Sequence, residues 1–269
     1  MRPVDFDYVR NFVRAQAAIV LEPGKEYLVE SRLLVLARKE NLKGIDELVE
    51  KLRANPRDEL HRRVIDAMTT NETSFFRDRQ PFERFRTDLV PELIPARRAL
   101  RRLRVWSAAC STGQEAFSLA MIIHDHFPEL QTWDVRIVGT DVNAQVVERA
   151  KAARYSQVDV SRGLPVSSLV RHFKRVGLDW EASAELRALC SFRVASLLEQ
   201  MGQGPFDIVF LRNVLIYFAP ETRALVLRRV RAAMAPDGWL LLGAAEAAAG
   251  IPTGFQRVVR GELTYLRPA

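Results

Sequence analysis

The chain has 269 residues, 48% apolar and 27% charged, with a net charge of +7 and a pI near 9.8. That size fits one large domain or one large plus one small, and the balance excludes disordered and collagen-like classes. No apolar run approaches the ~18 residues a membrane span needs, and the opening Met1–Asp7 lacks the apolar core of a leader peptide, so a cytoplasmic protein without direct membrane insertion is expected. Cys110 and Cys190 cannot build a disulfide framework, and without a Cys/His spacing pattern no metal site is expected.

Residues 1–80 read as an all-α domain. Phe6, Val9, Phe12 and Val13 recur at helical steps, as do Leu28, Leu33 or Leu34, and Leu36. Gly44–Leu52 gives a third helix, and Pro56–Leu60 begins a fourth, with Pro56 in its first turn beside acids that suit a helix N-terminus. Lys25, Arg32 and Lys39 stand seven apart on the second helix, either an ordinary wet face or a docking stripe for an acidic helical partner. Helical rhythm then stops at Thr69-Thr-Asn-Glu-Thr-Ser-Phe-Phe-Arg-Asp78, an order that neither helix nor strand patterning calls for. Within it, Phe75 and Phe76 read as packing between domains, and Glu72 and Ser74 as local caps.

Residues 81–102 read as a linker region. Its end, Ala96–Arg104, holds five arginines in nine residues and reads as a solvated approach to a buried strand. From 103 to 269 apolar strands at Leu103–Ala108, Val135–Gly139, Phe206–Leu211 and Trp239–Gly243 alternate with helices at 114–127, 143–154 and 220–234, the pattern of a parallel sheet covered on both faces. Short mixed pieces over about 156–195 indicate an inserted subdomain. Phe255–Leu266, with Arg260-Gly261-Glu262 at its middle, reads as a terminal antiparallel hairpin.

The turn after the first strand, Ser107-Ala-Ala-Cys-Ser-Thr-Gly-Gln-Glu115, has small residues but only one glycine, so it is no dinucleotide fingerprint. Glu115 would repel a pyrophosphate and suits a cationic or zwitterionic ligand. Asp141 ends the second strand, where an acid can accept both hydroxyls of a ribose, although Asp is also a common helix cap. Arg212 and Asn213 close a central strand, and buried polar groups there are either satisfied or functional.

Three blocks in order, Thr69–Asp78, Trp106–Glu115 and Leu211–Phe218, resemble the CheR family, the S-adenosylmethionine-dependent methyltransferases that esterify glutamates on bacterial chemoreceptors. The resemblance implies an α/β fold: a Rossmann-like methyltransferase sheet with a terminal antiparallel hairpin, a small all-α N-terminal domain and a small inserted β-subdomain. It implies S-adenosylmethionine as cofactor, contacted by Asn71, Thr73, Arg77, Glu115, Asp141, Arg212 and Asn213, with Tyr217 as a wall near the reacting methyl. Arg77 and Tyr217 are the expected catalytic residues, Arg77 for handling carboxylates and Tyr217 through its π face. The family's Asn-Leu-Leu, whose Asn reads the adenine edge, is here Ser196-Leu197-Leu198; Ser196 is shorter, and Leu197 packs on the base. Chemoreceptor methylation helices are the implied partner of a monomeric enzyme. The short form of the turn written Gly177–Glu185 implies independence of a C-terminal pentapeptide tether. Two other readings remain. A nucleic-acid methyltransferase fits the pI but lacks the Asn/Asp-Pro-Pro-aromatic motif, and Cys110 is too early for a carbon-methylating nucleophile. A non-enzymatic sensor would keep the pocket without turnover.

Overall fold

The computed structural model describes residues 1–54, 59–247, 254–260 and 263–269. Four helices lead: α1 (Pro3–Ala17), α2 (Glu26–Lys39), α3 (Ile45–Ala54) and α4 (Glu59–Met68). Each turns one stripe inward at steps of three and four. Phe6, Val9 and Val13, then Val29, Leu33 and Leu36, then Leu48 and Leu52, then Val64 and Met68 meet in one buried cluster. A fully buried leucine such as Leu33 contributes about 1.5–3 kcal/mol relative to an exposed one. Leu34 faces outward, and Pro56 lies outside the described residues.

The elements that follow are α5 (Gln80–Arg84), α6 (Val90–Arg97), β1 (Arg102–Ala108), α7 (Gln114–His126), β2 (Asp134–Asp141), α8 (Ala144–Ala152), β3 (Arg154–Tyr155), α9 (Gln157–Ser161) and α10 (Val166–His172). Then come β4 (Phe173–Val176), β5 (Asp179–Ala182), α11 (Ala184–Leu189), β6 (Cys190–Val194), β7 (Phe206–Leu211), α12 (Pro220–Ala232), β8 (Met234–Leu242), α13 (Ala244–Ala247), β9 (Phe255–Arg260) and β10 (Leu263–Pro268). Seven strands form one sheet in the order β6-β2-β1-β7-β8-β10-β9. The first five are parallel, and β10 and β9 run antiparallel at the edge. Gly261 and Glu262, between β9 and β10, lie outside the described residues. Along fully buried β7, Ile208 and Phe210 join the cluster of α7, while Val209 and Leu211 join that of α12, so the sheet is covered on both faces.

The structure corrects three expectations. Residues 81–102 are not a solvated linker. They are helical from α5 through a π-helical turn, Phe85–Leu89, to the end of α6, and Phe82, Phe85, Leu89, Val90 and Leu93 are buried in the main core. Prolines punctuate this run: Pro81 stands in the first turn of α5, where a missing N–H removes no bond, while Pro91 follows the π-helical turn directly and Pro95 lies inside α6. Arg97 is buried too: Nε donates to Asp207 Oδ1 at 2.6 Å and Nη1 to Asp237 Oδ2 at 2.9 Å. Second, the inserted unit is the sheet β3-β5-β4 with its short helices, and Cys190–Val194, expected within it, is instead the outer parallel strand of the main sheet. Third, Phe75 and Phe76 belong to the core of the α/β domain rather than to that of α1–α4, so the all-α unit ends before them. Phe75 meets Tyr155 and Phe173 edge-on at 5.1 and 5.7 Å, and Phe76 meets Phe82 at 5.5 Å.

Candidate active site

A pocket opens at the carboxyl ends of the parallel strands, where α/β sheets bind their ligands. Its first wall is the turn from β1 into α7. Ala109, Ser111 and Gly113 take φ values of 60°, 49° and 91° there. Gly113 is required twice over, because a Cβ would also stand 3.0 Å from that of Ala150. The turn is held by Cys110 N donating to Thr140 O at 2.9 Å and Ser111 N donating to Asp141 Oδ2 at 2.9 Å.

Asp141 ends β2 and is 8% exposed. Its other oxygen, Oδ1, accepts from Asn143 N at 3.0 Å. Burial raises its pKa above the usual carboxylate range, against the lowering effect of those two backbone donors. Each oxygen keeps a further lone pair, so the group can still accept two hydroxyls.

Arg212 and Asn213 leave the end of β7. Arg212 is buried, with Nη1 on Glu115 Oε2 at 3.0 Å and Nη2 on Asp78 Oδ2 at 2.6 Å and on Arg77 O at 2.9 Å. Glu115 accepts a second bond from Ser107 Oγ at 2.7 Å. The two acids therefore lock Arg212 and tie the first motif to β1 and β7. Its Nε has no partner among the described residues. Arg77 lines the cavity, and its Nη1 donates to Glu72 O at 2.9 Å.

The N-terminal domain supplies the opposite wall. Arg32 does not stand free in a basic stripe, because Nη1 donates to Met68 O at 2.6 Å and Nη2 to Thr70 Oγ1 at 3.1 Å, pinning the start of the motif. Asn143 caps α8 and donates to Thr69 Oγ1 at 2.7 Å, while Asn71 O accepts from Ser111 Oγ at 2.8 Å. Val20 N donates to Tyr217 O at 3.0 Å, so the chain after α1 braces the loop that carries Tyr217.

Asn71, Thr73, Arg77, Glu115, Asp141, Ser196, Leu197, Arg212, Asn213 and Tyr217 all line this cavity. Sequence reasoning missed Asp78 and Asn143, whose partners Arg212 and Thr69 lie far along the chain, and Ser107, whose partner Glu115 is eight residues on but across the turn. The ionisable groups of the wall are Glu72, Glu115 and Asp141 against Arg77 and Arg212, one negative charge in excess on a protein of net charge +7.

Residues 71–261 match the family model described as CheR methyltransferase, SAM binding domain, and residues 4–69 match CheR methyltransferase, all-alpha domain. The chain belongs to the CheR methyltransferase family. It is similar to the chemotaxis protein methyltransferase Cher2 of Pseudomonas putida, at 40% identity over 95% of this chain and 94% of that one. It is also similar to chemotaxis protein methyltransferase 1 of Pseudomonas aeruginosa, at 41% identity over 94% of each chain. The chemotaxis protein methyltransferase of Vibrio parahaemolyticus shares 37% identity over 92% of this chain and 90% of its own. The cofactor of this CheR domain is S-adenosylmethionine, and the cavity's residues fit it: a zwitterion with an added sulfonium carries one net positive charge, opposite in sign to the wall.

Cys110 is buried, and burial raises its thiol well above the ordinary range, so it is no nucleophile at neutral pH. Of the histidines, His172 is buried on Asp125, Nε2 to Oδ2 at 2.9 Å. With His124 they make one group among the described residues whose ligand atoms lie within 4.8 Å. Asp125 there also meets Arg171 at 3.4 Å.

Proposed function

We propose that this chain transfers the methyl group of S-adenosylmethionine to glutamate side chains on the cytoplasmic methylation helices of a chemoreceptor, giving methyl esters that tune adaptation. The convergence of the ten motif residues on one cavity carries the reading. When bound, the cofactor supplies an activated methyl on a sulfonium. Asp141 accepts the ribose hydroxyls, Glu115 faces the ammonium, and Ser196 and Leu197 border the adenine. Arg77, with its planar fork, pairs with a carboxylate of the cofactor or of the acceptor glutamate. Tyr217 presents its ring to the positive sulfur.

No base is required. A glutamate carboxylate, pKa about 4.3, is ionised at neutral pH. As its oxygen would bond the methyl, the sulfur–methyl bond would break with its electron pair going to sulfur, leaving a neutral ester and the thioether S-adenosylhomocysteine, so the opposite charges cancel. Water stabilises the separated ions more than the transition state, so acceleration comes from alignment inside a cleft lined by both domains.

Exposed Lys25 and Lys39 on α2 leave a basic face for an acidic helix, while Arg32 is engaged within the protein. The turn in the inserted sheet is only Gly177-Leu178, since Val176 pairs with Asp179 and the rest of Gly177–Glu185 is β5 and the start of α11. So small a turn supports tether independence, to be checked with receptors carrying and lacking a C-terminal pentapeptide. The central experiment is transfer of radiolabelled methyl to receptor-containing membranes beside Arg77→Ala. Base-labile label on a receptor-sized band, lost in the variant, is the expected result. Calorimetric binding of the cofactor with no label on any receptor would overturn the acceptor assignment.

A further inference from the structure

The loop after β7 carries Arg212, Asn213 and Tyr217 to the cavity along an unfavourable backbone course. Asn213 has φ 58°, in the left-handed region, which asparagine enters more readily than other non-glycine residues but which still needs support from its surroundings. Three consecutive amides there donate to one side chain, Glu246 of α13. Asn213 N reaches Oε2 at 2.9 Å, and Val214 N and Leu215 N both reach Oε1 at 2.7 Å. Gly243 N adds a fourth bond, to Oε2 at 2.7 Å. Glu246 is 6% exposed and is not among the residues lining the cavity. Gly243 leaves the space it needs, since a Cβ would stand 2.5 Å from Glu246 Oε2 and 3.1 Å from Asn213 N.

We propose that Glu246 is a positioning residue for methyl transfer: its carboxylate gathers the amides of residues 213–215, holds the left-handed turn at Asn213, and thereby fixes Asn213 and Tyr217 in the cavity. The proposal rests on the reading that this cavity holds S-adenosylmethionine for methyl transfer. Only an ionised carboxylate offers acceptors on both sides. A glutamine of the same shape would turn an amino group toward two N–H donors and lose their bonds.

Glu246→Gln is expected to weaken S-adenosylhomocysteine binding by calorimetry and to lower kcat, each on the order of 10-fold. Gly243→Ala, which crowds the carboxylate without changing its charge, is expected to reproduce both effects, and it carries the test should Glu246→Gln fail to fold. A double-mutant cycle separates positioning from a general loss of stability. In a Tyr217→Ala background, Glu246→Gln should cost much less in kcat than it does alone, because the side chain it places is gone. Folded Glu246→Gln and Gly243→Ala proteins with wild-type affinity and kcat would overturn the proposal. So would effects of Glu246→Gln and Tyr217→Ala that multiply in full. The calorimetric arm needs no methyl acceptor. Lost affinity in the variants, beside a wild type that labels no receptor, would sink the receptor reading and leave the positioning role standing.

Discussion

Asp141 pays for its position in solvation, since burial lifts its pKa although two backbone amides donate to it. A ligand whose hydroxyls donate to the carboxylate binds the ionised form. Affinity for S-adenosylhomocysteine should therefore be level near neutral pH and fall as the pH drops through the raised Asp141 value. Asp141→Asn, with one acceptor oxygen in place of two, should weaken binding about 10- to 100-fold and abolish that acidic limb, both read by calorimetry. The residue was legible in the sequence because an acid at a strand's end has a defined place in an α/β sheet. Ser107 and Asp78 were not. Their roles come from Glu115 and Arg212, and the bond from Asp78 to Arg212 spans 134 positions that local pattern cannot bridge.

Among the elements, α6 depends on a charge cluster at its end. Arg97 meets Asp207 of β7 and Asp237 of β8, and Asp207 also accepts from Arg104 N at 2.7 Å. Arg97→Met would leave Asp207 buried without its cation and should destabilise the fold by roughly 3–5 kcal/mol, measured by urea unfolding. Bonding to Arg97 holds the Asp237 carboxyl below the usual carboxylate range. A depressed pKa contributes stability that is present above the unfolded-state value and is lost as pH falls through the folded one. The unfolding midpoint should thus decline on acidification below about pH 4, less steeply in Asp237→Asn. The sequence showed five arginines and no partners, so it could not tell the buried Arg97 from exposed Arg98.

At the scale of the molecule, the cavity belongs to both domains. Ala17 and Ile19 line it from the all-α side, and Ile19 bridges to Phe218 beside Tyr217. A ligand held there binds only when the domains are docked. S-adenosylhomocysteine at 100 times its Kd should stabilise the protein by about 2.7 kcal/mol and shift both domains in one transition. Separate melting of α1–α4, unmoved by ligand, would show that the walls are not shared.

The α/β rhythm, the all-α start and the terminal hairpin were present in the sequence as short-range pattern, and Glu115, Asp141, Arg212 and Asn213 stood out by their places after strands; the other six cavity residues were legible only through the resemblance to the CheR family. Tertiary structure alone decided that 80–97 is a buried helix, that β6 joins the main sheet, and that Arg32 pins a motif. It alone decided that Glu246 gathers a loop some thirty residues before it. Those outcomes turn on which distant groups meet, and a carboxylate or guanidinium looks the same in a sequence whether its partner is water or a buried amide.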